Sequence, residues 1–109
     1  MPVENWSETV VVVRLSDDPQ FSEDLDALET TLESNDVDVV LDFSNVHYIN
    51  SSNIAKLLKV RKTCVQKEQR LVLCAVNTQI WGAFLVTGLD KVFQFADSVT
   101  MGLTMVQLT

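Results

Sequence analysis

Ser51 and Ser52 stand side by side between Asn50 and Asn53, in the stretch Y-I-N-S-S-N-I at 48–54, where an apolar run gives way to A-K-L-L-K-V-R-K. Hydroxyls at such a helix start can cap the helix, help hold an anion, or accept a phosphoryl group. Unpaired backbone N–H groups and the positive end of the helix dipole lie beside them. An anion site of the P-loop kind needs glycines for close backbone approach, and residues 50–53 contain none. The cap and the phosphoryl acceptor remain.

Other chemistry finds little support. A nucleophilic serine needs a base, and the single His47 lies in the same loop with nothing in the sequence to position it. A phosphoaspartate site needs several carboxylates converging at strand ends, and only Asp42 is near such a position. Cys64 and Cys74 lack CxxC spacing and sit in apolar stretches, so they read as buried, reduced thiols; with one histidine they form no zinc ligand set. Neither a catalytic constellation, a metal site nor a cofactor is expected.

The elements that must position these serines alternate. T-V-V-V-V-R-L at 9–15 reads as a strand covered on both faces. Phe21, Leu25, Leu28 and Leu32 then recur at helical spacing, with Glu23 and Asp24 in the first turn. V-D-V-V-L-D-F at 37–43 is a second strand, and its loop leads into a helix whose Ile54, Leu57, Leu58, Arg61 and Val65 are expected along one face. L-V-L-C-A-V at 71–76 is a third strand. Asn77 caps a helix through Ile80, Trp81, Phe84 and Leu85, and Gly88 ends it. V-F-Q-F at 92–95 and a helix over 98–108, weakened by Gly102, complete the chain. The order β-α-β-α-β-α-β-α predicts right-handed crossovers and a mostly parallel sheet, with function at the carboxyl ends of the strands.

The whole chain of 109 residues, 47% hydrophobic, suits one domain with disorder confined at most to the first few residues. A net charge of -7 opposes nucleic-acid and anionic-membrane binding. No apolar run approaches the length of a membrane span, and M-P-V-E-N-W does not read as an export signal, so a cytoplasmic location is expected.

D-F-S-N-V-H-Y-I-N-S-S-N at 42–53 resembles the signature of the STAS domain family of anti-sigma-factor antagonists, which reads Asp-Leu-Ser-x-Val-x-x-(Ile/Met)-Asp-Ser-(Ser/Thr)-Gly. The match holds at Asp42, Ser44, Val46, Ile49, Ser51 and Ser52. L-V-T-G-L-D-K-V-F at 85–93 is similar to the family's Thr-Gly-Leu segment, and the resemblance runs from about Thr9 to Leu108. Asn50 stands where the family has Asp, and Asn53 where it has Gly. The first-strand exit L-S-D-D-P-Q-F lacks the family's usual glycine.

The resemblance implies an α/β, STAS-like fold: a four- to five-stranded, mostly parallel or mixed sheet with about four packed helices, and a single STAS domain over 1–109. It implies a non-enzymatic interaction module that binds an anti-sigma factor/serine protein kinase. Ser51 would be the phosphoacceptor, with Ser52 the second choice. Asn50, Ser52, Asn53, Lys56 and Lys59 are expected to contact the partner, and Lys56, Lys59 and Lys62 make a basic stripe on an acidic chain. A monomer or weak homodimer is expected. The alternative keeps the fold without the switch: an adaptor subunit in a stressosome-like complex or a lipid-transport ATPase. Trp81 is expected in the core, although Ile80, Trp81, Phe84 and Leu85 span more than one narrow face.

Overall fold

The computed structural model describes residues 3–5 and 7–107. Strands β1 (Val3–Asn5), β2 (Val10–Ser16), β3 (Asp38–Asn45), β4 (Leu71–Cys74) and β5 (Gln94–Ala96) form one sheet in sequence order. β1 runs antiparallel to β2, and all later neighbours are parallel. Helices α1 (Gln20–Ser34), α2 (Ser51–Gln66), α3 (Thr78–Thr87) and α4 (Val99–Gln107) follow β2 to β5 in turn.

Side chains alternate across each strand, and the two faces of the sheet build two cores. Val11, Val13 and Leu15 of β2, Val39, Leu41 and Phe43 of β3, and Leu71 and Leu73 of β4 point to one face. There they meet Phe21, Leu25, Leu28 and Leu32 of α1, Leu57, Val60 and Cys64 of α2, and Ile80 and Phe84 of α3. Successive crossovers of one hand, stepping along the sheet in one direction, put three helices on the same side. Val10, Val12, Val40, Val72 and Cys74 point the other way and are covered by α4 through Val106, with Val99, Leu103 and Met105 around it. Strands buried on both faces explain the near-continuous valine and leucine runs.

The expected alternation holds from β2 onward, but three expectations need correction, and one strand is added. Residues 3–5 form an edge strand on β2, with Val3 opposite Val13. Met1, Pro2 and Trp6, and Leu108 at the end of the expected last helix, lie outside the described residues. The final strand begins at Gln94 instead of Val92, because Leu89–Lys91 form a 3-10 turn that carries the chain back to the sheet. On α2 the inward stripe is Asn53, Leu57, Val60 and Cys64, while Leu58 and Val65 are exposed. On α3, Ile80 and Phe84 face the core, whereas Trp81 and Leu85 lie outward. Trp81 instead packs edge-on against Phe95, ring centroids 4.9 Å apart.

Gly88 ends α3 with φ 75, and its N–H reaches back to the carbonyls of Leu85 and Phe84, as a left-handed cap residue should. Gly102 has a different reason. A Cβ there would stand 2.4 Å from Cys74 Sγ, so the glycine lets α4 lie directly on β4.

Candidate functional site

The loop 46–50 leaves the carboxyl end of β3 and enters α2, and two polar side chains from other parts of the chain, Asp17 and Asn77, hold it. Asp17, just past β2, accepts hydrogen bonds from the His47 and Tyr48 amides at 2.8 and 3.4 Å. His47 Nδ1 lies 2.8 Å from the other Asp17 oxygen. Asn77, the cap of α3, donates to Val46 O at 3.0 Å while accepting from Ile80 N at 2.8 Å. His47 is therefore positioned, contrary to expectation, by a carboxylate thirty residues upstream. Its side chain remains 72% exposed and its role is to anchor the loop. The bonds from His47, main chain first and then the ring, hold the Asp17 carboxyl below the ordinary carboxylate range.

The start of α2 is a reciprocal capping box. Asn53 N donates to Asn50 Oδ1 at 2.8 Å, and Asn50 N donates to Asn53 Oδ1 at 3.1 Å. Asn53 does more than cap. It is 2% exposed, and its Nδ2 donates to Asp18 Oδ2 at 2.7 Å. The other oxygen of Asp18 accepts from Ser22 N at 3.0 Å and Ser22 Oγ at 2.8 Å, in the first turn of α1. One carboxylate thus joins two helix starts. The Asn53 amide, then Ser22 and Asn50, hold the Asp18 carboxyl below its usual value against the cost of burial.

Ser51 and Ser52 occupy the first two positions of α2, and both are exposed. Since Asn50 and Asn53 make the cap, neither hydroxyl is needed for it. Asn53, expected to contact a partner, is instead buried, a correction that follows from its bond to Asp18. Asn50 is exposed at the cap, with its Nδ2 3.5 Å from Asp18 Oδ2. Lys56 Nζ pairs with Asp26 Oδ1 of α1 at 2.6 Å, so its charge is partly neutralised. Lys59 and Lys62 are exposed on the outer face of α2. No acidic residue interrupts the sixteen residues of that helix. Asp42, at the foot of the loop, bonds Ser44 N at 2.9 Å and turns the strand end.

Sequence reasoning missed Asp17 and Asp18 as parts of this site. Both are separated from it by about thirty residues in the chain, and only adjacency of the β2 and β3 carboxyl ends could have signalled them. Among the described residues no group of three or more His, Cys, Asp or Glu side chains could hold a metal ion. Burial raises both thiols to about 11: Cys64 with a further push from Glu29, and Cys74 with one from Asp42. Among the described residues no helix is long and apolar enough to cross a membrane.

The backbone is shared with several solved structures. One described as a candidate anti-sigma factor antagonist from Thermotoga maritima superposes with a TM-score of 0.86 at 15% identity, over 97% of this chain and 93% of that one. The anti-sigma factor antagonist SpoIIAA in its unphosphorylated form gives 0.83 at 16% identity, over 98% and 96%. The phosphorylated form of SpoIIAA, a Bacillus cell fate determinant, gives 0.69 at 18%, over 87% and 89%. No curated protein matches the chain. At these identities the structures speak for the fold, an α/β arrangement of four parallel strands and four helices of the STAS type. The family model described as "Mlab, STAS domain" matches residues 4–101, and with nearly the whole chain covered, this protein belongs to the STAS domain family.

Proposed function

We propose that this STAS domain is a non-enzymatic, cytoplasmic interaction module of the anti-sigma-factor-antagonist type, which binds an anti-sigma factor/serine protein kinase and is switched by phosphorylation of Ser51. Ser52 is the second choice of acceptor. One observation carries the reading: the cap of α2 is made by Asn50 and Asn53, which leaves two exposed serine hydroxyls at the helix start with no structural task. The docking surface comprises Asn50, Ser51, Ser52 and the outer positions of α2, chiefly Leu58, Lys59 and Lys62. Lys56 contributes less because Asp26 already pairs with it.

A phosphate on Ser51 adds about -1.5 to -2 charges at the positive end of α2, which stabilises the modified helix by roughly 0.3–1 kcal/mol. The fold therefore survives modification. Covering that charge with a partner surface costs several kcal/mol where no cation meets it, and each 1.4 kcal/mol is about tenfold in affinity. The interface term is the larger, so modification separates the partners. SpoIIAA, a protein of the same fold, exists in phosphorylated and unphosphorylated forms.

A second reading is favoured by Asn50, whose amide replaces the carboxylate of the family pattern and faces Asp18. The same face would then be a standing contact in a larger assembly, a stressosome-like complex or a lipid-transport ATPase. Incubation with the cognate kinase and ATP, followed by intact mass and peptide mapping, separates the readings. A phosphate on Ser51, absent in Ser51→Ala, supports the switch; no uptake while a control substrate is modified rejects it.

A further inference from the structure

A concave site lies at the opposite end of the parallel strands from Ser51, where β4 and β5 begin. It is a cavity of about 360 Å³ between the end of α2 and the amino ends of those strands, with Arg61, Glu68, Arg70 and Gln94 around a wall of Leu71 and Phe93. That volume lies in the range of small-molecule sites.

Two of the chain's eight basic residues converge here on a protein of net charge -7. Arg61 Nε donates to Val92 O at 3.0 Å, which fixes the guanidinium plane and leaves its other donors uncommitted. Arg70 is held through its main chain, whose N–H donates to Asp38 Oδ1 at 2.7 Å, while its Nη2 makes only a 3.5 Å contact with Gln94 Oε1. Neither arginine forms an ion pair among the described residues. The last carbonyls of α2, on Thr63, Cys64 and Val65, accept from the amides of Lys67, Gln69 and Glu68, so the negative end of that helix is largely satisfied within the chain. Glu68 is the one opposing charge on the lining.

We propose that this cavity binds a small organic oxyanion, a carboxylate or phosphate monoester carried on an apolar body. The guanidinium forks match the paired oxygens of either group, and half-buried positions make such charge-assisted bonds stronger than they would be in open water. Leu71 and Phe93, nearly covered by the protein, form the wall against which the apolar body rests. The net charge of the chain repels anions at long range, so binding depends on the local forks.

Titration of ¹⁵N-labelled protein with phenyl phosphate, benzoate, inorganic phosphate and benzyl alcohol tests this. Phenyl phosphate or benzoate is expected to move the Arg61 and Arg70 side-chain signals and the Gln69 and Gln94 amides saturably, and the tighter of the two identifies the headgroup. Arg70→Gln should weaken binding about tenfold, the loss of a charge-assisted hydrogen bond, and Glu68→Gln should strengthen it. Arg61→Gln also removes the tie to Val92, so Arg70→Gln and Glu68→Gln, whose side chains make no comparable tie to the main chain, decide the question if it fails to fold. Equal binding of benzyl alcohol, equal binding of inorganic phosphate, unchanged affinity in Arg70→Gln, or no saturable shift with either organic anion overturns the proposal.

Discussion

Asn53 Nδ2 donates to Asp18 Oδ2 across 2.7 Å, and this bond ties the start of α2 to the loop that enters α1. Asn53 is also half of the capping box, so one buried amide serves two helices. Asn53→Gly restores the family residue but removes both bonds. A loss of about 1–3 kcal/mol is expected, from a missing box partner and an under-paired carboxylate. Urea unfolding measures it, and an unshifted midpoint would show that the tie contributes nothing.

The other departure from the family pattern follows from the same carboxylate. Asn and Asp are equivalent as caps, but at residue 50 an aspartate would bring a second carboxylate to within about 3.5 Å of Asp18 Oδ2. Asn50→Asp should cost about 1 kcal/mol at neutral pH through like-charge repulsion. Repulsion raises the pKa of the pair, so the deficit is present above it and closes as acid protonates one partner. The same deficit should shrink as salt is raised at pH 7, because screening weakens the repulsion. A deficit in thermal melts that neither salt nor acid reduces would remove the electrostatic explanation.

Acid sensitivity is expected to concentrate in the two loop carboxylates. Asp17 and Asp18 are held below the ordinary aspartate value in the folded chain. A depressed folded pKa means that their stabilisation is fully present above that value and is lost as pH falls through the lower folded values. Melting temperature followed from about pH 5 to pH 2 should therefore drop less steeply in Asp17→Asn and Asp18→Asn than in the parent. A parallel set of curves would mean these groups titrate alike in both states.

How much of this was legible beforehand differs between fold and site. β2, β3 and β4 announced themselves because strands buried on both faces need unbroken apolar runs, and Asn77 and Gly88 bracketed α3 as cap residues do. The inward stripe of α2 was misread because it begins with Asn53, a polar residue whose burial depends on Asp18 thirty-five positions away. Leu58 and Val65 are apolar and fit helical spacing, yet both are exposed. β1 was invisible because a three-residue strand carries almost no periodicity and exists only through its pairing with β2. Ser51 and Ser52 were found by their motif, whereas the carboxylates that shape their loop come from a distant turn brought near by parallel pairing.

Gly102 offers the sharpest test of how α4 sits on the sheet. Alanine is favoured over glycine within a helix by about 1 kcal/mol, so propensity alone predicts that Gly102→Ala stabilises. The added Cβ would stand 2.4 Å from Cys74 Sγ and 3.3 Å from Val40 Cγ1, and both residues are fully buried. Neither neighbour can swing into solvent, so α4 must lift, at a cost of about 1–3 kcal/mol that outweighs the propensity gain. Cys74→Ala removes the sulfur and should make room, so the double variant should be more stable than the sum of the single losses. Because α4 covers Val10, Val12, Val40 and Val72 on the face opposite α2, the loss should appear as faster hydrogen exchange at those strands and α4, with the start of α2 unaffected. Additive single and double variants would show that the helix already rides clear of β4.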